Sequence, residues 1–285
     1  MAGEPLLVSS ARSIEVERGL RSALMAQRPL SFWIGASTLA PIVLAACFPA
    51  SIAPYDPFDD VAQPLSAPTL VHLFGTDDLG RDLFSGIVTG ARTSLMVGGI
   101  TSAISVTLGL SIGLTAGFFG GLVGDILMRI AELVQVLPRF FIALLVLTLF
   151  GASTLNLCIV LGLFSWSGLA RLVRAETLSH REREYVRAAT AMGGSSYWIM
   201  RRHILPLVRR PIFAVLAPIA TSTILMEAGL SYLGISDPNR MSWGKLIQNG
   251  QSFFNHGWWL SLFPGLAVMA TCVGIALVVE GLQSD

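Results

Sequence analysis

The chain reads as long apolar stretches separated by short polar ones. No Asp, Glu, Lys or Arg lies between Arg28 and Asp56, Arg92 and Asp125, Arg139 and Arg171, or Lys245 and Glu280, and Glu227 alone interrupts the stretch from Arg210 to Asp237. About 20 apolar residues cross a bilayer core, so the gaps predict helices at roughly 32–53, 94–117, 155–172, 212–233 and 258–282. The 31-residue gap after Arg139 is too long for one helix and too short for two. Its first part, Phe140 to Phe150, is the outer end of a further helix that begins near Asp125 and passes the helix-kinking Pro138. On that helix Arg139 stands about 14 residues, or roughly 21 Å, above Asp125. An all-α integral membrane protein of six spans follows, with both termini on one side.

Composition agrees. Of 285 residues, 53% are hydrophobic and 13% charged, with net charge +1; an ordinary soluble domain carries about 25% charged residues. A soluble enzyme, a disordered chain and a general nucleic-acid binder are excluded. Eighteen of the nineteen basic residues are arginine, and Lys245 is followed by Leu246, so no Gly-Lys-Ser/Thr phosphate loop exists. Cys47, Cys158 and Cys272 lie far apart in apolar runs, which suits packing rather than a disulfide or metal site. No metal is expected.

Arginine placement sets the orientation. Arg12, Arg18, Arg21 and Arg28 precede the first helix and nine more run from Arg171 to Arg210, whereas the opposite side is rich in aspartate, from Asp56 to Asp82 and at Asp237. The arginine-rich side and both termini are expected to be cytoplasmic. The alternative, a secretory signal cleaved near Ser51 to Ala53, would start closer to the N-terminus and have a shorter apolar core.

Within the spans, Thr101, Ser105, Gly109, Gly113 and Gly117 place a small residue at every fourth position, a stripe that admits a close helix neighbour in this chain or another subunit. Asp125, Arg129 and Glu132 have the spacing of local ion pairs. Charges at membrane depth usually face protein or water. Arg139 and Glu227 are therefore candidates for lining a translocation path, or for pairing with each other or with backbone.

The segment 174–210 is the one long polar stretch between spans. Tyr185, Ala188, Ala189 and Met192 share one helical face, Gly193 and Gly194 stop that helix, and Ser195 or Ser196 caps a second that runs from Tyr197 to Leu205, before Pro206. Two short helices and a tight turn make a knob suited to a groove in a soluble partner; the alternative is a helix pair lying on lipid.

These residues resemble a known family. Ala188-Ala189, Gly193 and Ile204-Leu205-Pro206 have the spacing of the "EAA" loop of bacterial ABC-importer permeases, with Arg187 where the name-giving Glu usually stands. His72 to Asp82, with Gly75, Thr76, Asp77, Gly80 and Arg81, followed by Gly90-Ala91-Arg92-Thr93-Ser94-Leu95, looks like the signature of the peptide/nickel subfamily. Specifically it is similar to the second, C-type permease of dipeptide and oligopeptide importers. Trp166, Glu184-Tyr185-Val186, Leu230 to Gly234, Ser242-Trp243-Gly244 and Trp258-Trp259 extend the match over roughly residues 29 to 282. The run Glu280 to Asp285 departs from the family's acidic-Gly-x-Leu-Arg-Asp ending, which implies a weakened or dispensable terminal contact.

The resemblance implies a type I, MetI-like permease fold. It implies a cytoplasmic tail at 1–28, a first helix with a periplasmic segment at 29–90, and a transmembrane domain at 91–282 carrying the coupling loop 174–210. It further implies a second homologous permease, two ATPase subunits that hold ATP and Mg, and a periplasmic or lipid-anchored binding protein. The coupling residues would be Tyr185, Val186, Arg187, Ala188, Ala189, Met192, Gly193, Ile204, Leu205 and Pro206. Thr76 to Asp82 would either contact the binding protein or the partner permease, or pin the loop and cap the next helix at Asp82. The cargo would be di- or oligopeptides; nickel or another small solute is the alternative. The chain is expected to catalyse no reaction and to hold no cofactor of its own. A stand-alone transporter would show an internal repeat, which is not visible. An intramembrane enzyme is disfavoured because all four histidines lie outside the spans.

Overall fold

A computed structural model describes residues 29–283, without the side chains of residues 209–211. The tail 1–28 with its four arginines, and Ser284 and Asp285, lie outside the described residues. Among the described residues the chain is helical, with a single isolated bridge between Thr76 and Asp82. The helices are α1 (Leu30–Cys47), α2 (Pro49–Ile52), α3 (Leu83–Phe119), α4 (Gly121–Val136), α5 (Arg139–Phe150), α6 (Thr154–Arg181), α7 (Glu184–Ala191), α8 (Ser196–Ile199), α9 (Leu205–Tyr232), α10 (Trp243–Gly250) and α11 (Trp259–Gln283). Five are long and apolar enough to cross a membrane, and the broken pair α4–α5 makes a sixth if it counts as one span.

Charge gaps locate the hydrocarbon-crossing part of a helix, and the helices themselves run further. α3 begins eleven residues before the predicted Ser94, because Asp82 caps it: its carboxylate accepts the Ser85 amide at 2.8 Å and the Ser85 hydroxyl at 2.7 Å. α6 extends from Thr154 past the predicted Leu172 to Arg181, since Val173 and Thr177 continue its buried face. The first part of the segment 174–210 is thus the end of a membrane helix rather than loop.

The helix predicted from Asp125 through Phe150 is not one rod. α4 and α5 meet at 78°, and Leu137 is extended at φ −70°, ψ 127°. The residue before a proline is pushed out of the helical region, and Pro138 then opens a new helix. The straight-helix separation of Asp125 and Arg139 is therefore overturned. α4 carries three faces: Gly124, Met128 and Ala131 are buried, Leu122, Ile126, Ile130 and Leu133 are exposed and apolar, and Asp125, Arg129 and Glu132 are charged.

The small-residue stripe of α3 lies against α6 of the same chain. Thr101 and Ser105 donate to the carbonyls of Cys158 and Gly162 at 3.4 and 3.3 Å. Below them Gly109 faces Leu169, Gly113 faces Ala170 and Val173, and Gly117 faces Thr177. At the other edge α1 packs along α11, with Gly35 against the Gly274 carbonyl, while Trp33, Leu44 and Phe48 face outward, as lipid-facing residues do.

Candidate functional site

The polar segment folds into a knob with a buried apolar inside. Arg183 opens α7, and Gly193, at φ +83°, closes it: the Gly193 amide reaches the Thr190 carbonyl and the Gly194 amide the Ala189 carbonyl, each at 3.0 Å. This paired termination needs a left-handed residue at its centre, which favours glycine. Ser195, rather than Ser196, caps α8 by accepting the Trp198 amide at 3.3 Å. Val186, Ala189, Ile199 and Ile204 are buried in one cluster with Leu169 and Val173 of α6 and Val208 and Ile212 of α9.

The four residues predicted to share one face of α7 divide between two environments. Ala189 points into this cluster, whereas Tyr185, Ala188 and Met192 are exposed, Met192 at 82%. Tyr197 and Trp198 extend the exposed apolar surface. Arg187 is exposed and lies 3.4 Å from Glu182. The second knob helix does not stop before Pro206. It passes through a π-helical turn, Met200–Ile204, closed by the Leu205 amide on the Met200 carbonyl, and runs directly into α9 with Pro206 in its first turn. A proline has no amide to give and its ring crowds the carbonyl four residues back; the wider π turn makes room. The knob and α9 are therefore one continuous helical path.

Arg139 and Glu227 are not brought together. Arg139 lines a cleft of about 480 Å³ between the α4–α5 break, α6 and α9, with Gln135, Phe164, Ser165, Ser167 and Ser222 among its walls. Its Nη1 donates to Ser165 Oγ at 3.3 Å. Glu227, 3% exposed, accepts from Ser94 Oγ at 3.2 Å and Ser231 Oγ at 2.9 Å. It borders a water-sized void of about 20 Å³ shared with Thr154, Asp237, Arg240 and Ser242. Pairing of the two charges, one of the two expectations for them, is not formed. The expected i,i+4 pair of Asp125 with Arg129 is absent as well: Arg174 of α6 takes Asp125 at 3.1 Å, leaving Arg129 to Glu132 at 3.1 Å.

The aspartate-rich signature is a closed knot. Asp77 accepts the amides of Leu79 and Arg81 at 3.0 and 2.9 Å and the Arg81 guanidinium at 2.6 Å. Asp82 holds His72 at 2.9 Å besides capping α3. Thr76 donates to the Gln63 carbonyl at 2.7 Å, and its own carbonyl accepts Trp259 Nε1 at 3.2 Å. The Gly75 carbonyl accepts the Leu83 amide, and the Gly80 carbonyl those of Val61 and Ala62. With Thr76, Asp77 and Asp82 buried, this arrangement pins the loop and starts α3.

A family described as "binding-protein-dependent transport system inner membrane component" matches residues 109–284. The chain belongs to this family. The permease is 39% identical over 227 residues to the oligopeptide transport system permease protein OppC of Escherichia coli K12, across 79% of this chain and 75% of OppC. It is 38% identical over 250 residues to the dipeptide transport system permease protein DppC of the same strain, across 85% of this chain and 83% of DppC. A chain from the MetNI methionine ABC transporter, solved in inward-facing conformations, shares the fold with a TM-score of 0.56 at 14% identity, over 70% of this chain and 95% of that one. The permease is thus a multi-pass membrane protein of the ABC-importer type.

Sequence reasoning missed the residues that complete the permease's polar sites. Gln135, Ser165 and Ser222 of the cleft, and Asp237, are brought into place only by tertiary packing; the serines inside otherwise apolar helices were the available signal. Asp237 ties the loop after α9 to the start of α6, accepting the Thr154 amide and hydroxyl, each at 3.0 Å. Burial alone would raise its carboxyl, but the hydrogen bonds from Thr154 and Asn239, with Arg240 nearby, hold it below the usual carboxylate range. Such a group contributes stability that is complete above its unfolded-state value of about 3.9 and is lost as pH falls through the lower folded value. Asp237→Asn is expected to lower the thermal midpoint of the purified permease by a few degrees at pH 7, with the difference from wild type shrinking as pH falls through the carboxyl's lowered folded value. A difference independent of pH would contradict this role.

Proposed function

We propose that this chain is one of two permease subunits of an ATP-driven importer of di- or oligopeptides. The observation that carries the cargo is the 38–39% identity to OppC and DppC over most of the chain. In this reading a second homologous permease completes the pore and a binding protein delivers peptide on the aspartate-rich side. Two ATPase subunits, which hold ATP and Mg, dock on the knob. The arginine-rich side and both termini are cytoplasmic, and the chain itself catalyses no reaction.

The knob's construction supports this assignment. Its exposed Tyr185, Met192, Tyr197 and Trp198 offer an apolar surface to a groove. Its buried Val186, Ala189, Ile199 and Ile204 are packed on α6 and α9. Closure of an ATPase dimer would displace the knob as a body, and the unbroken path from α8 through the π turn into α9 carries that displacement into the membrane. α6 moves with it through Leu169 and Val173, and tilting these helices exchanges inward-open for outward-open access.

Reconstitution of the chain in liposomes with its cognate permease, ATPases and binding protein tests the reading. ATP-dependent uptake of a tripeptide, and none by the chain alone, is expected. Uptake of nickel without peptide would replace the cargo; solute movement by the chain alone would defeat the permease assignment.

A further inference from the structure

The cleft beside Arg139 has the makeup of a ligand site. Its volume, about 480 Å³, lies within the roughly 300–1,000 Å³ of small-molecule pockets, which are mostly apolar with a few placed polar groups. Phe164, Leu169, Val215 and Pro218 supply apolar wall, and Gln135, Ser165, Ser167 and Ser222 supply polar groups. Arg139 is the one charged residue among the described residues that line it.

Among the described residues that arginine has no counter-ion: its guanidinium forms no ion pair with a carboxylate, and its hydrogen bond goes to a neutral hydroxyl, Ser165 Oγ. Asp125, Asp77 and Asp237, by contrast, each have an arginine within 4 Å. α5 continues for twelve residues beyond the break, about 18 Å of helix, against a hydrocarbon core of about 30 Å. Arg139 is the first residue of this apolar helix, and an unpaired cation on a membrane segment faces protein or a water-filled cavity. Five N–H donors in a planar fork suit a carboxylate, and most of them remain unspent. The break at Pro138 is what delivers the side chain there, since a straight helix would carry Arg139 along the α4 axis.

We propose that this cleft is a substrate subsite in which Arg139 binds the terminal carboxylate of a peptide in transit. The proposal rests on the peptide-importer reading above. Ser165 orients the guanidinium, and Ser167, Ser222 and Gln135 offer hydrogen bonds to the peptide backbone without selecting side chains. Apolar walls with few charges hold the peptide weakly enough for it to leave, as passage requires. A carboxylate contributed by the partner permease has the same chemistry, and the test separates the two sources.

The test uses the importer reconstituted with all its cognate subunits and compares ATP-driven uptake of trialanine with that of trialanine amide. The binding protein's own preference is common to every permease variant, so the change in the acid-to-amide uptake ratio between wild type and Arg139→Gln isolates the arginine. The ratio is expected to fall roughly tenfold or more in Arg139→Gln, the effect of losing a charged hydrogen-bonding partner. Arg139→Lys, which keeps the charge, should retain much of the preference, and Ser165→Ala should reduce it. An unchanged ratio in Arg139→Gln overturns the proposal. So does equal loss of both peptides in a complex that assembles normally, which would assign Arg139 to a carboxylate of the partner permease. If Arg139→Gln does not assemble, the ratios of Arg139→Lys and Ser165→Ala decide. Absence of any peptide uptake by the wild-type importer instead defeats the peptide reading, and the subsite with it.

Discussion

Gly113→Val is expected to prevent the membrane domain from folding. A Cβ at this position would lie 2.6 Å from the Ala170 carbonyl oxygen and 2.6 Å from Val173 Cβ, closer than any real contact allows. Neither side can give way cheaply. On α3 the neighbours Gly109 and Gly117 are pressed against α6 in the same manner, with contacts of 2.9 and 2.6 Å for a Cβ, so a shift that relieves one position crowds another. At Gly113 the nearest α6 atoms are the Ala170 carbonyl oxygen and the Cβ of the β-branched Val173, not the end of a flexible side chain. Overpacking commonly costs 1–3 kcal/mol and more where backbone must move. The expected cost here is at least about 3 kcal/mol, a large fraction of a stability that is usually 5–15 kcal/mol. Helix association in a bilayer has no hydrophobic drive of its own and depends on such close packing. Gly99→Ala is the matched control: nothing lies within 4 Å of its added Cβ, and removing a mid-helix glycine stabilises by roughly 0.5–1 kcal/mol. Size-exclusion profiles in mild detergent and thermal aggregation curves measure both. A monodisperse Gly113→Val with a wild-type midpoint would mean that the α3–α6 contact is not the axis of the fold.

The stripe itself was readable from residue spacing, because a four-residue repeat of small residues describes one helix face wherever the partner lies. Which helix it met was not readable: α6 begins 37 residues after Gly117, and nothing local links them. The same division runs through the chain. Charge gaps gave the spans, since desolvation excludes charge from the bilayer core, but could not give α3 its start at Asp82, which a side-chain cap decides. Pro138 announced a break, whereas its 78° angle depends on how α4 and α5 each pack on α6. Asp125 illustrates the limit most directly. Its sequence neighbour Arg129 offered an exposed i,i+4 contact worth only a few tenths of a kcal/mol, and Arg174 of α6 prevailed because tertiary packing places it at 3.1 Å. In the knob, the helix, its glycine stop and the serine cap were all local features and readable. The π turn into α9 was not, because Pro206 is equally compatible with a helix that ends before it and with one that begins at it.

Ala189→Asp and Gly193→Pro are expected to abolish capture of the ATPase subunits while leaving membrane insertion intact, through different damage to one structure. Ala189 is 4% exposed in the cluster that joins α7 to α6 and α9. A carboxylate there would be buried among Val186, Ile199 and Ile204 with no arginine in the cluster, at a cost of several kcal/mol. The knob escapes that cost by detaching α7, which scatters Tyr185, Ala188 and Met192 from the surface they form with Tyr197 and Trp198. Gly193→Pro acts on the turn instead. Proline is fixed near φ −65°, while this position requires +83°, and it removes the amide that reaches the Thr190 carbonyl at 3.0 Å. Gly193→Ala keeps the amide and bears only the left-handed penalty of about 1–2 kcal/mol, with open space around its Cβ, so it should bind ATPase with reduced yield. The spans lie outside the knob, and total permease in the membrane fraction should match wild type for all three. Co-purification of the cognate ATPases on tagged permease reads the outcome, with a loss of tenfold or more anticipated for Ala189→Asp and Gly193→Pro. Normal ATPase recovery with Ala189→Asp would move the docking surface away from α7, and with it the route by which the knob drives α9.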